Sequence, residues 1–432
     1  MNSISDTSAV RARRVAKRLR RRHWAERRFR LYGLTAVLLS VGFMVFLFAN
    51  IIGKGYRAFE QTYIRVDINY AEELIDPNGT RLAQDLADGN YQGVIKASMR
   101  AQFPDVVERS EQRKLYGLLS ESAERALKDH VVGNPGLIGH SDSVWLLADD
   151  HIDLLVKGEI STEAAEEDRR VDDQEIKWMA ALTAGHRVER HFNWSFFTEG
   201  DSREPEQAGI LGAVKGSLFA LLITIGLSFP IGVAAALYLE EFARRDQFTD
   251  VIEVNINNLA AVPSIVFGIL GLSVFIQFFG LPRSSPLVGG LVLTLMTLPT
   301  IIISSRAALK AVPPSIRQAA FGIGASRVQM VLHHVLPLAL PGMLTGAIIG
   351  MARALGETAP LLMIGMVSFV ADVPTNLSSA ATALPVQVYL WSSSAEQAFV
   401  ERTSAAIMVL LAFLLTMNLL AVILRNRFER RW

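Results

Sequence analysis

The chain alternates charge-free apolar runs with two strongly polar stretches. Uncharged runs occupy Leu31–Ile52, Gly216–Leu239, Val254–Pro282, Ser284–Ser305 and Thr403–Leu424. Each reaches the roughly 20 residues an α-helix needs to cross a bilayer core. A sixth run, Leu338–Val370, carries only Arg353 and Glu357. The pattern predicts six transmembrane helices in an all-α polytopic membrane protein. Leu31–Ile52 follows thirty residues, is too long for a signal-peptide core and lacks a small-residue cleavage site, so it reads as an uncleaved first helix. Pro230 predicts a kink in the second run. Gly209, Gly212, Gly216, Gly226 and Gly232 suit close helix packing in lipid. Pro263 and Gly268 predict a broken third span, tolerated where backbone lines a cavity or packs on protein.

Charge gives the orientation. Residues 1–30 hold eleven Arg or Lys against two acids, and Arg425–Trp432 holds four against one. Arg306–Pro337 holds four basic residues and no acid. The positive-inside rule then places both termini and this loop in the cytoplasm, as an even span count requires. Gly53–Ala208 contains 18 basic and 30 acidic side chains, a net −12, against +1 for the whole chain. This acidic segment is expected on the other face, as a periplasmic domain. The division is therefore 1–30 basic arm, 31–52 first span, 53–208 outer domain, 209–424 membrane domain with loop 306–337, and 425–432 basic tail. The Arg-rich arm, with Arg20, Arg21 and Arg22 together, precedes a membrane helix; topology setting and contact with anionic lipid explain it without nucleic acid.

The outer domain reads as α+β and is inserted between helices 1 and 2. Tyr63–Tyr70 alternates like a strand, and Val144–Leu147 and Ile152–Val156 suggest two more. Asp105–Val132 has helical periodicity, with Gly133–Gly136 as its stop. The chain has no cysteine, so no disulfide supports this domain and its fold rests on its core. His130, His140 and His151 lie near Asp149, Asp150 and Asp153 in sequence, but their spacings match no trusted ligand pattern. They read as solvated acidic surface, with no metal and no cofactor.

Two places carry candidate chemistry. In the loop, Pro313-Pro314 starts a helix. Ile316, Ala319, Ala320 and Ile323 form an apolar stripe, while Arg317, Gln318, Ser326 and Arg327 fall mostly elsewhere. Gly324 provides a turn, and Pro337 halts the segment before the next span. Such a helix either transmits a push to the membrane helices that tether it or lies on the lipid surface. The second place is Arg353 and Glu357, four apart and so one turn apart on one helix face. Counted from Leu338, Arg353 lies roughly 22 Å into a core about 30 Å thick. An unpaired charge at that depth costs ~3 kcal/mol. The pair is either a structural salt bridge or part of a path for an anion, where the guanidinium fork suits phosphate oxygens.

Four segments carry a resemblance: NNLAAVPSIVFGILGL (257–272), RQAAFGIGASRVQMVLHHVLP (317–337), ARALGETAPLL (352–362) and ALPVQVYLW (383–391). Together they resemble the permease subunits of phosphate-specific ABC importers, and among these the PstA family. The resemblance covers about half the chain and implies a type I ABC importer permease in a bacterial inner membrane. It implies ATPase docking by Arg317, Gln318, Ala319, Ala320, Gly324, Ala325, Leu336 and Pro337, and a substrate path at Arg353, Glu357 and Thr358. The implied partners are a PstC-like second permease subunit, a PstB-like ATPase dimer and a PstS-like phosphate-binding protein. The chain has no GxxxxGK[ST], so it is not itself an enzyme and ATP hydrolysis belongs to a partner. The general docking motif has an acid where this chain has Gln318 and an aliphatic residue where it has His334. The outer domain resembles an N-terminal extension of unassigned function. A permease for phosphonate or sulfate is the near alternative. A membrane sensor lacks a sizeable cytoplasmic domain, and an intramembrane enzyme lacks a nucleophile or metal set in the spans.

Overall fold

A computed structural model describes residues 3–162, 165–244 and 246–428. The chain forms two compact units, 1–54 and 55–432. In the first, the expected arm and first span are parts of one continuous helix, Ser3–Gly55. Residues 1 and 2 of the arm and 429–432 of the tail lie outside the described residues. Along residues 31–52 the side chains Leu38, Phe43 and Phe46 stand exposed, as a lipid-facing helix requires.

The second unit begins with the outer module. Among the described residues its sheet has three antiparallel strands in the order β2-β1-β3: β1 Glu60–Asn69, β2 Ser141–Leu147 and β3 Val188–Phe192. Val66 pairs with Val144 and Thr62 with Arg190. The alternation of β1 sends Ile64, Val66 and Ile68 fully into the core and leaves Arg65, Asp67 and Asn69 outside. Helices Tyr91–Gln102 and Ser122–Gly133 cover the inner face, adding Val94, Met99 and Leu127 to that core.

Two local expectations change. Asp105–Val132 is not one helix but two, Arg109–Tyr116 and Ser122–Gly133. The sheet edge takes the residues between them: Leu119 bridges to Ala148, and Ser120 N–H donates to the Leu147 carbonyl at 2.9 Å. Ile152–Val156 is helical rather than extended, within Asp150–Val156, because Asp149 caps it by accepting from His151 N–H. A further helix, Asp173–Ala184, opens on a full capping box between Asp172 and Glu175.

In the membrane domain, long apolar helices cover Leu211–Phe242, Pro286–Ala311, Arg327–Gly356 and Ala398–Arg427. With the first helix, five described helices are long and apolar enough to cross a membrane, or six if a bent pair counts as one. That pair is Gln247–Ala260 and Ser264–Phe278, which meet at 103° around Pro263. Gly232 allows close approach, since a Cβ there would sit 2.7 Å from Ile301 Cγ2; Gly226 faces open space and supports no packing within this chain.

The run Leu338–Val370 is not a single span. The helix Leu336–Gly356 stops at Gly356, and Glu357 is extended. Continuing it would drive the Pro360 ring into the Gly356 carbonyl. Nor does Pro337 halt the preceding segment. The helical path widens into a π-turn at Val331–Val335 and runs on through Pro337, whose missing N–H the wider turn accommodates.

Candidate functional site

The loop helix forms where the proline pair places it, at Pro314–Gly322 with Pro314 in the first position. It ends in a Schellman motif. Gly324 has φ +87°, its N–H donates to the Phe321 carbonyl at 3.0 Å, and Ala325 N–H reaches the Ala320 carbonyl at 3.0 Å. Ser326 and Gln329 then cap the next helical turn, Arg327–Met330.

The expected apolar stripe splits. Ala320 is buried and Ile316 half-buried, whereas Ala319 and Ile323 face outward. Ile323 is 79% exposed, and Phe321, Val328 and Leu332 are about half exposed around it. Gln318 and Gly324 belong to this open surface, Ala325 is half-buried, and Leu336 and Pro337 sit inside the following helix. The loop thus presents an apolar face that no other described residue of its chain covers.

Arg317 has a different job. Its guanidinium donates twice to Glu241 Oε1 (2.7 and 3.2 Å) and once each to the Leu309 and Val312 carbonyls (2.9 and 2.7 Å). It therefore neutralises a buried carboxylate, caps the end of Pro286–Ala311 and fastens the loop helix to two long helices. Beside it, Arg306 pairs with Glu253 at 2.5 Å and Glu240 at 3.5 Å. Arg306, Lys310 and Arg317 are thus paired with acids of the preceding helices, and Arg327 lies over the Phe242 ring.

Arg353 lies in the last turn of its helix, where a cation is favoured by the helix dipole. Its Nε stands 3.6 Å from Glu357 Oε1. The pair forms even though Glu357 has left the helix, so the expected one-turn stacking on a common face is replaced by a link across the helix end. The Arg353 side chain is 44% exposed. Thr358 is the N-cap residue of the short helix Ala359–Met363. Arg353 thus reaches Glu357 across the helix end, and Thr358 follows Glu357 in the chain.

Charges far more buried than Arg353 tie the outer module to the membrane domain. The Lys157 side chain, 3% exposed, bridges Asp153 (2.6 Å) and Glu401 (3.2 Å). Asp153 also accepts from Thr62 N and Oγ1 at 2.9 and 2.7 Å. Arg402, 4% exposed, donates to the Glu206 carbonyl at 3.3 Å, and Ser120 Oγ donates to Glu206 Oε1 at 2.5 Å. Trp391 Nε1 donates to Asp201 at 2.9 Å. Burial pushes the Glu206 carboxyl up to about 7. These contacts fasten the outer module to the first turn of the helix Ala398–Phe428 and to Leu384–Ser392. The sequence reading opened the last span at Thr403 and so excluded Glu401 and Arg402; two adjacent charges heading an apolar run were the available signal.

Of His130, His140 and His151, only His151 joins Asp149 and Asp150. It contacts Asp149, with Asp150 at 3.6 Å and Glu175 at 3.7 Å. Burial opposes its charge, but its hydrogen bonds to Asp149, Asp150 and Glu175 raise it to about 11. The imidazolium is thus the counter-ion of these acids, and one ligand atom each of Asp149, Asp150 and His151 lie close enough together to meet on a single cation.

Residues 228–432 match the family described as binding-protein-dependent transport system inner membrane component. Residues 16–166 match a domain of unknown function, DUF3333. Among curated relatives, the phosphate transport system permease protein PstA of Haemophilus influenzae is 30% identical over 198 residues, 46% of this chain and 69% of its own length. The PstA 1 protein of Mycobacterium tuberculosis is 28% identical over 256 residues, 59% of this chain and 83% of its own. A probable ABC transporter permease of Bacillus subtilis, YqgI, is 33% identical over 171 residues, 39% of this chain and 58% of its own.

Proposed function

The chain belongs to the PstA family of phosphate transport permeases, and from that premise we propose that it forms half of the translocation pathway of an ATP-driven importer of inorganic phosphate. It is a multi-pass membrane subunit, and chemistry on ATP is left to a separate ATPase. The other half of the path is a PstC-like permease subunit, the motor a PstB-like dimer, and the donor a PstS-like binding protein. Both termini and the loop 306–337 lie in the cytoplasm, residues 53–208 outside.

One observation supports this reading most: a helix fixed rigidly at its back and bare at its front. Its front surface, with Gln318, Ala319, Phe321 and Ile323 exposed, offers an apolar knob to an ATPase groove. Lacking an acid at position 318, the contact rests on shape and burial rather than on a salt bridge. At the back, the Arg317 bonds to Glu241, Leu309 O and Val312 O carry any movement of that knob into two long helices. ATP-driven closure of the ATPases then turns those helices and switches the path between faces. Arg353 is the anion contact, tempered by Glu357, with Thr358 as a neutral donor.

The test is ATP-dependent uptake into vesicles by the chain assembled with its permease and ATPase partners. Labelled phosphate should enter and excess sulfate or phosphonate should not displace it. Preferential uptake of either competitor would overturn the assignment of phosphate.

A further inference from the structure

The outer module carries an aromatic surface that the transport reading does not use. Phe59 stacks on Phe197 (centroids 5.6 Å apart), Phe197 stacks on Phe192 (5.9 Å), and Trp194 meets the Phe192 ring edge-on at 4.8 Å. The inner side of this cluster is buried: Phe196 packs on Trp391 at 6.3 Å, and Trp391 on Phe399 at 5.9 Å. The outer side is bare. Trp194 is 70% exposed, Phe192 47% and Phe197 36%.

The position of the cluster along the membrane helices identifies what covers it. Phe399 lies in the first turn of the helix Ala398–Phe428, four residues before the charge-free run that starts at Thr403. At 1.5 Å per residue that is about 6 Å beyond the apolar core, within the headgroup layer. Two backbone ties hold the cluster at this level. Asn193 N–H donates to the Phe59 carbonyl at 2.8 Å, and its Nδ2 to the Ala58 carbonyl at 2.9 Å; both carbonyls belong to the helical turn Tyr56–Phe59 that leads into β1. Ile210 N–H donates to the Phe196 carbonyl at 2.8 Å, one residue before the helix that begins at Leu211. The outer ends of the helices Leu211–Leu237 and Ala398–Phe428 therefore converge on this segment. Exposed Trp and Phe at headgroup depth, rimmed by the Arg190–Glu60 pair at 3.2 Å, have the chemistry of an interfacial belt: an apolar ring in the acyl boundary with a polar edge in the headgroups.

We infer that Phe192, Trp194 and Phe197 form a lipid anchor, by which the outer module rests on the outer leaflet beside its own membrane helices. The anchor limits how far the module tilts and holds the connection between β3 and the helix Leu211–Leu237 at a fixed depth.

The assembled complex is reconstituted into phosphatidylcholine–phosphatidylglycerol vesicles, with or without phosphatidylcholine brominated near the top of the acyl chain. Subtracting the emission of a Trp194→Phe variant from that of the unmodified chain isolates the Trp194 signal; the variant keeps an aromatic ring and so the packing. The anchor predicts that brominated lipid removes most of this signal while aqueous acrylamide barely reduces it. A signal that survives brominated lipid overturns the inference in either of two ways. If acrylamide quenches it, the cluster faces water; if neither quencher reaches it, another subunit covers the cluster.

Discussion

Two sets of charges sit at helix ends in this chain, and their surroundings could hardly differ more. Arg353 and Glu357 form a single link at 3.6 Å, with the arginine nearly half exposed. Glu401 and Arg402 open the last helix and join Lys157, Asp153 and Glu206 in a buried network that ties the outer module to the membrane domain. A buried charge that loses its partner keeps its desolvation cost and has no water to return to. A half-exposed pair loses little when broken and remains open to a partner from outside. The difference assigns the buried set to architecture and leaves the open pair available for an anion. That contrast can be broken at several points.

The largest effect is expected at Lys157. Lys157→Met leaves Asp153 and Glu401 without their common cation and should destabilise the protein by about 3–5 kcal/mol. Thermal unfolding of the purified full chain in detergent would show it; an unchanged melting temperature would mean the network bears no weight. Arg317→Ala comes next. It strands the Glu241 carboxylate and two helix-end carbonyls, and should cost about 1.5–3 kcal/mol, the net worth of hydrogen bonding to a charged group. Because the open face of the loop helix is untouched, the ATPase should still bind while uptake per ATP hydrolysed falls sharply. If the two remain coupled, Arg317 is not the mechanical link.

A smaller effect sharpens the comparison by pH. Burial on folding raises the Glu206 carboxyl from its ordinary 4.5 to about 7, so the folded state binds its proton more tightly than the unfolded chain does. Its contribution is therefore greatest below about 4.5 and is lost as pH rises towards 7, after which it stays constant. Glu206→Gln mimics the protonated form, and the stability gap between it and the unmodified chain should open over that window. A gap independent of pH would show that Glu206 does not titrate there.

Much of this was legible in the sequence because the membrane is a severe filter. Runs such as Ser284–Ser305 and Thr403–Leu424 have no alternative use for so many uncharged residues, and they appear as helices. The proline pair at 313–314 and Gly324 determine the loop helix through purely local geometry. Tertiary competition hid the rest. Ile152–Val156 alternates like a strand, but Asp149 caps a helix there. Asp105–Val132 keeps a helical period through residues the sheet claims for itself. Arg317 looked like part of a contact surface because Glu241 lies 76 residues away and no local pattern joins them. The four-residue spacing of Arg353 and Glu357 predicts one shared helix face, but Pro360 ends the helix at Gly356 and Glu357 lies beyond it.

The central contrast is tested most directly by Arg353→Gln in the complete, reconstituted importer. ATP-dependent phosphate uptake, complex assembly and thermal stability would be measured on the same preparation. The open-pair reading predicts that uptake is lost while assembly and melting temperature stay as they were. Undiminished uptake, or a complex that no longer assembles, would contradict it and return Arg353 to the company of Arg402 as a structural charge.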